Sequence, residues 1–288
     1  MTALCRPARR SVKAPREKAP AQSVDCHFHI FGPDARYPYA QKRGYTPPEA
    51  LVPQYEAMIA ALGIERMVIV HPSVYGTDNR CSLDSMALLG RERCRMVAVV
   101  DENTGEAELK RMDALGVRGV RFNLFNVGGP SRDALGTVAR RIAPLGWHLQ
   151  VYVEGAQLPE LAPLLAALPL PVVIDHMGQI MTAWGVDHPA VGALRRLIDG
   201  GRGWVKLCGY RSSSAGYPFA DVGALARALI ADAAERCVWG TDWPHPNFAG
   251  TMPDDGELLD LLGDWAPSPA LRRKILVENP AALYGFPL

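Results

Sequence analysis

Ser23-Val24-Asp25-Cys26-His27-Phe28-His29-Ile30 is a short run, rich in β-branched and aromatic residues, whose last residues carry histidines. Further runs of similar length and character occur at 66–72, 95–100, 117–123, 147–153, 171–176, 203–209 and 236–242. Longer amphipathic stretches separate them. Between Glu106 and Leu115, for example, Leu109, Met112 and Leu115 recur at three-residue spacing, and Gly116 follows where a helix C′ glycine belongs. Leu62-Gly63 and Leu145-Gly146 repeat the device, each just ahead of a strand. Alternation of this kind predicts parallel strands joined by crossover helices. Eight strands with no break in composition favour one α/β domain, a single (β/α)8 TIM-like barrel, over two doubly wound domains.

The bulk properties agree with that expectation. A chain of 288 residues with 48% hydrophobic and 21% charged residues suits an ordinary globular protein, and a barrel of about 250 residues fits within it. The formal net charge is +1, which argues against nucleic-acid or membrane-surface binding, because both draw their affinity from a basic excess. No apolar run approaches the roughly 18 residues that cross a bilayer, and the first residues lack a secretory apolar region, so a cytoplasmic protein is expected. The six cysteines, Cys5, Cys26, Cys81, Cys94, Cys208 and Cys237, form no CxxC pair and are expected as reduced thiols. Residues 1–22 stand apart: Arg6, Arg9, Arg10, Lys13, Arg16 and Lys18 face the single acid Glu17 without apolar periodicity. They are expected as a flexible, solvated basic tail, with a transit peptide or partner-binding arm as the alternatives, and 23–288 as the barrel.

In a (β/α)8 barrel the chemistry belongs at the carboxyl ends of the strands. A period of two places His27 and His29 on one face of the first strand. The sixth run closes on Asp175-His176 and the eighth on Gly240-Thr241-Asp242-Trp243-Pro244-His245. One such histidine is ordinarily structural. Three histidines and an aspartate at three strand ends, with apolar residues filling the strand bodies, point to a site. His148 opens the fifth strand at the opposite end and is read as structural, and His188 as part of a helix start with Asp187 as N-cap and Pro189 in the first turn.

The blocks Val24-Asp-Cys-His-Phe-His-Ile-Phe-Gly-Pro33, Gly76-Thr-Asp-Asn-Arg80, Gly116-Val-Arg-Gly-Val-Arg-Phe-Asn123, Asp175-His-Met-Gly178 and Trp239-Gly-Thr-Asp-Trp-Pro-His-Pro-Asn247 resemble the amidohydrolase superfamily, and within it the 2-pyrone-4,6-dicarboxylate lactonases. The resemblance extends from about residue 23 to the end of the chain. It implies a distorted barrel that opens the ring ester of a small anionic lactone in aromatic or sugar-acid catabolism, with no metal required. Asp242 would act as general base, while His27, His29 and His176 polarise the carbonyl. Arg121 and Arg211 match the family's anion-binding arginines, and Tyr45, Ser73, Tyr152 and Asn247 match further substrate contacts.

The strand-four and strand-five ends carry Arg121 to Asn123 and Tyr152 where a two-metal centre needs ligands, so no bridged pair of metals is expected. A single Zn²⁺ on His27, His29 and Asp242 is the alternative, since three protein ligands and a water complete a catalytic zinc site. Two further arginines of the lactonase pattern are replaced, by Val127 and Gln179, which suggests a less charged substrate. Gly209-Tyr210-Arg211-Ser-Ser-Ser214 and Tyr217-Pro-Phe-Ala-Asp221 are also similar to relatives acting on sulfomuconolactone or aldaric acid lactones, as hydrolases or isomerases. A zinc-dependent relative, including a decarboxylase of the same superfamily, and a non-catalytic binding protein are the competing classes.

Overall fold

A computed structural model of the chain describes residues 4–126 and 128–288; Val127 lies outside the described residues. Eight parallel strands form one sheet in sequence order: β1 (Val24–Phe28), β2 (Arg66–Val70), β3 (Cys94–Ala98), β4 (Val117–Asn123), β5 (His148–Tyr152), β6 (Val172–Ile174), β7 (Gly203–Leu207) and β8 (Cys237–Trp239). The barrel closes between its ends, where Asp242 N–H donates to His27 O at 2.8 Å and His29 N–H to Trp243 O at 2.8 Å. Helices cover the outside: α1 (Val52–Leu62), α2 (Arg80–Leu89), α3 (Glu106–Leu115), α4 (Leu135–Ile142), α5 (Leu158–Ala166), α6 (Pro189–Asp199), α7 (Gly223–Ala233) and α8 (Asp255–Trp265), followed by α9 (Pro269–Arg273) and α10 (Asn279–Tyr284). The expected glycine stops after α1 and α3 are left-handed, with φ of 78° at Gly63 and 115° at Gly116, a conformation that glycine adopts without a Cβ penalty.

Two apolar layers result. Tyr55, Ile59 and Leu62 of α1 pack with Phe28, Met67 and Ile69 in the layer between helices and strands. Val24, Cys26, Val68, Val70, Val97, Val173 and Val238 form an inner layer, plugged by Tyr284 and Phe286 from the C-terminus. The pairing register of β1 on β2 shifts between Asp25 and Phe28. Asp25 therefore leaves the face that simple alternation would give it and bonds to Tyr55 Oη (3.0 Å) and Thr241 Oγ1 (2.7 Å), while His27 and His29 both point inward. Phe28 stacks on Tyr55 at 3.7 Å and anchors the shifted strand to α1.

Two local expectations differ from the structure. The described part of the basic segment, expected as a free tail, lies as an extended strap against the acidic face of α8. Lys13 N–H donates to Asp254, Arg16 N–H to Asp260 at 2.7 Å, and Arg16 Nη2 to Asp264 at 2.7 Å. Cys5 N–H and Ala19 N–H bond to Thr46 O and Leu62 O, pinning both ends to the barrel. The contacts with Asp254, Asp260 and Asp264 come from residues about 240 positions away, which no local pattern reveals. At α6 the N-cap is His188 rather than Asp187: its imidazole accepts from Ala190 N–H at 3.3 Å, as a capping side chain does. All six cysteines are unpaired.

Candidate active site

His27 and His29 from β1, His176 after β6 and Asp242 after β8 meet above the inner apolar layer. His27 Nε2 lies 3.2 Å from His29 Nε2, and Asp242 Oδ1 lies 3.6 Å from the first and 3.4 Å from the second. The His27 and His176 rings are 4.6 Å apart between centroids. Asp242 and His176 both occupy left-handed backbone, with φ of 62° and 50°. Such positions cost of order 1–3 kcal/mol and persist where the surroundings over-determine them. Here the β1–β8 hydrogen bonds fix Asp242.

A small cavity opens above these groups, lined by His29, Tyr45, Arg121, Asn123, Asn126, Tyr152, His176, Arg211, Asp242, Pro246 and Asn247. Of the residues expected to contact substrate, Arg121, Arg211, Tyr45, Tyr152 and Asn247 thus share one wall. Ser73 is buried but does not line the cavity. Gln179, standing where the lactonase pattern has an arginine, donates to Tyr152 Oη and so reaches the same wall as a neutral group.

Neither arginine is isolated. Arg211 Nε donates to Asp242 Oδ2, with Tyr210 Oη on the same oxygen, and Arg211 Nη2 donates to Pro246 O at 2.8 Å. Arg121 Nε donates to Asp175 Oδ2 at 3.0 Å. Burial pushes the Asp242 and Asp175 carboxyls up, but the surrounding cations outweigh it and hold both well below the usual carboxylate range: Arg211 foremost for Asp242, Lys206 foremost for Asp175. Both are carboxylates at neutral pH. Asp242 Oδ1 has no hydrogen-bond partner among the described residues, so it is the free basic atom of the cluster.

Burial pulls the histidines down: His27 falls well below its ordinary range and His176 to about 3. All three site imidazoles are neutral at pH 7, His29 included. His29 Nδ1 lies 2.6 Å from Val70 O. A carbonyl only accepts, so the His29 proton is on Nδ1 and its Nε2 lone pair faces the cluster. As a neutral ring His29 offers an acceptor there, which corrects the expectation that it polarises the carbonyl alongside His27 and His176.

Sequence reasoning missed a layer of polar side chains beneath the histidines. Lys206 of β7 and Gln150 of β5 are wholly buried mid-strand, with Lys206 Nζ 2.8 Å from Gln150 Oε1 and 3.4 Å from Asp175 Oδ1. A lysine inside Trp204-Val-Lys-Leu207 was the available signal, since a charge in a barrel strand needs a partner. Lys206, Arg121 and Arg211 face Asp175 and Asp242, leaving one positive charge in excess around a cavity with neutral imidazoles. His148 lies away from this cluster, edge-on to Tyr284 at the other end of the barrel.

The donor set also fits a single zinc. Tetrahedral coordination with bonds of about 2.0–2.2 Å separates ligand atoms by roughly 3.3–3.6 Å, and the His27, His29 and Asp242 atoms stand 3.2, 3.4 and 3.6 Å apart. Asp242 Oδ1 is unpartnered among the described residues, and the His29 Nε2 lone pair faces the same point.

The buried neutral histidines make a prediction for stability. His71, His148 and His176 titrate near 3 in the fold because of burial, against an ordinary value of 6.5. Between those values the unfolded chain binds more protons, so this stability is complete above pH 6.5 and is lost as pH falls towards 3. Asp25, raised to about 6 by burial, acts with the opposite sign between about 4 and 6 and offsets part of the loss. Thermal unfolding should show a Tm lower by about 8 °C at pH 4.5 than at pH 7.5, a loss of order 5 kcal/mol. A Tm unchanged across this range would contradict neutral burial of these rings.

The profile of the amidohydrolase family matches residues 24–286. A 2-pyrone-4,6-dicarboxylate hydrolase of Comamonas testosteroni is 40% identical over 282 residues, covering 94% of this chain and 92% of that protein. A 4-sulfomuconolactone hydrolase of Rhizobium radiobacter is 39% identical over 275 residues, covering 92% and 91%. The crystal structure of an Agrobacterium tumefaciens protein in its apo form superposes with a TM-score of 0.84 at 33% identity, covering 95% of this chain and 99% of that one.

Proposed function

The chain belongs to the amidohydrolase family and is a lactonase within it, and from that premise we propose that it hydrolyses a small lactone bearing one or two anionic groups, with Asp242 as general base. The observation that carries this reading is the free Asp242 Oδ1, set beside neutral imidazoles under an excess of positive charge. The lactone's anionic group pairs with the terminal nitrogens of Arg121 and Arg211, and its carbonyl turns towards His27 and His176. Charge-assisted hydrogen bonds of this kind contribute about 1.5–3 kcal/mol each.

The proton steps balance as follows. Asp242 Oδ1 takes a proton from water as the water oxygen attacks the acyl carbon, and the imidazole N–H groups stabilise the developing oxyanion. The bond between acyl carbon and ring oxygen breaks, and Asp242 returns its proton to the departing enolate or alkoxide. The products are a carboxylate and an enol or alcohol, with one net proton released to solvent. Arg211 and Tyr210 occupy Oδ2, so Oδ1 is the atom left to work. A substrate anion that draws Arg211 towards itself loosens that hold and strengthens the base when the lactone is in place.

His27, His29 and Asp242 would hold a zinc ion, which when bound would supply a Lewis acid and a more acidic water; the three ligand-atom separations favour this second reading. Lys206 and Arg211 already bring positive charge against His27 and Asp242, which supports turnover without it. A pH-indicator screen of 2-pyrone-4,6-dicarboxylate, 4-sulfomuconolactone, muconolactones and aldarolactones tests both points. At least one anionic lactone should release acid, and the rate should survive exhaustive chelation. A flat panel would overturn the lactone reading, and a loss on chelation restored by Zn²⁺ would overturn the metal-free one.

A further inference from the structure

Beneath the histidine pair, the buried groups Lys206, Gln150 and Asp175 form a network that reaches His27 from below. We propose that Lys206 is a positioning residue that fixes the tautomer of His27, keeping Nδ1 as an acceptor so that Nε2 carries the proton offered to the substrate carbonyl. The last clause rests on the lactonase reading; the tautomer does not.

The direction of each hydrogen bond follows from what each group can do. Gln150 Nε2 lies 3.0 Å from Asp175 Oδ2, and a carboxylate only accepts, so the amide is oriented with Oε1 towards Lys206 Nζ at 2.8 Å. Lys206 Nζ then donates, and its next neighbour in hydrogen-bonding geometry is His27 Nδ1 at 3.3 Å. An ammonium has three protons and no lone pair, so His27 Nδ1 must receive. The competing partner is Asp175 Oδ1, 3.3 Å from the same nitrogen and 3.4 Å from Lys206 Nζ, but it stands outside hydrogen-bonding geometry with the ring, whereas Lys206 Nζ stands within it.

His29 is set the opposite way, its proton held on Nδ1 by Val70 O. The two rings therefore meet at 3.2 Å with one proton and one facing lone pair, and an incoming substrate carbonyl takes the place of His29 Nε2 as the acceptor of that proton. Without Lys206, His27 Nδ1 is free to take the proton and turn it on Asp175 Oδ1. Two lone pairs would then face each other, and His27 would have nothing to offer an oxyanion.

Long-range ¹H–¹⁵N spectra of protein labelled at the imidazole nitrogens read this directly, with the His27 signals assigned by their loss in His27→Gln. The wild type should show His27 Nδ1 unprotonated and Nε2 protonated; the reverse pattern would overturn the proposal whatever any variant does. Lys206→Met should move the proton to Nδ1 and lower kcat by about 100-fold with little change in KM. A variant that keeps the Nε2–H tautomer, or that changes tautomer at full kcat, would equally overturn it. If Lys206→Met does not fold, the wild-type spectrum decides. A chain that opens no lactone yet shows the expected spectrum would count against the lactonase reading alone.

Discussion

Asp242→Asn should lower kcat by about 10³–10⁴-fold while changing the affinity for the lactone by less than about tenfold. General base catalysis contributes roughly 10²–10⁴, and among the described residues Asp242 carries the one carboxylate oxygen of the cavity wall that has no hydrogen-bond partner. An amide of the same shape still receives Tyr210 Oη and Arg211 Nε on its oxygen, so the cavity should keep its form. The loss of the negative charge also releases Arg211 towards a substrate anion, which favours binding while chemistry fails. Single-turnover kinetics with equilibrium binding separates the two effects. A variant with kcat within tenfold of wild type would remove Asp242 from the role of base.

Gly240→Ala is expected to have nearly as large an effect without touching an ionisable group. A Cβ at residue 240 would stand 2.6 Å from His27 Cβ, 2.7 Å from His27 N and 3.1 Å from His27 Cα. These are atoms of the neighbouring strand and cannot rotate away, so β1 must shift from the end of β8 where the barrel closes. Overpacking of this kind costs about 1–3 kcal/mol, and a displacement of about 1 Å in a positioned group costs of order 100-fold in rate. Both His27 and Asp242, whose backbone N–H bonds to His27 O, lie on the moved seam. We expect kcat/KM to fall at least 100-fold and Tm to drop by several degrees. Gly263→Ala is the control: nothing lies within 4 Å of its added Cβ in the last turn of α8, so it should be neutral or slightly stabilising. Equal activity in the two variants would contradict the close approach of β1 and β8.

The parts of this molecule that were legible in its sequence are those governed by local pattern. The eight strands show as apolar runs because a barrel buries each of them on both faces, and the helix ends show because Gly63 and Gly116 must be left-handed. His27, His29, His176 and Asp242 could be picked out because polar residues closed runs that were otherwise apolar. What local pattern could not reveal depended on partners distant in sequence. The strap reads as a solvated tail until Asp254, Asp260 and Asp264 are brought beside it. Lys206 and Gln150 read as irregularities within strands until Asp175 is placed between them. The shifted register that turns Asp25 away from the histidines leaves no mark on the sequence, because every residue of β1 is buried.

Hydrolysis in H₂¹⁸O tests the central claim most directly. Attack of an Asp242-activated water on the acyl carbon places one ¹⁸O in the newly formed carboxylate, matched by one proton released per turnover, and both should vanish together in Asp242→Asn. Label in the hydroxyl product, or a rearranged lactone with no label and no proton, would contradict acyl hydrolysis at this site.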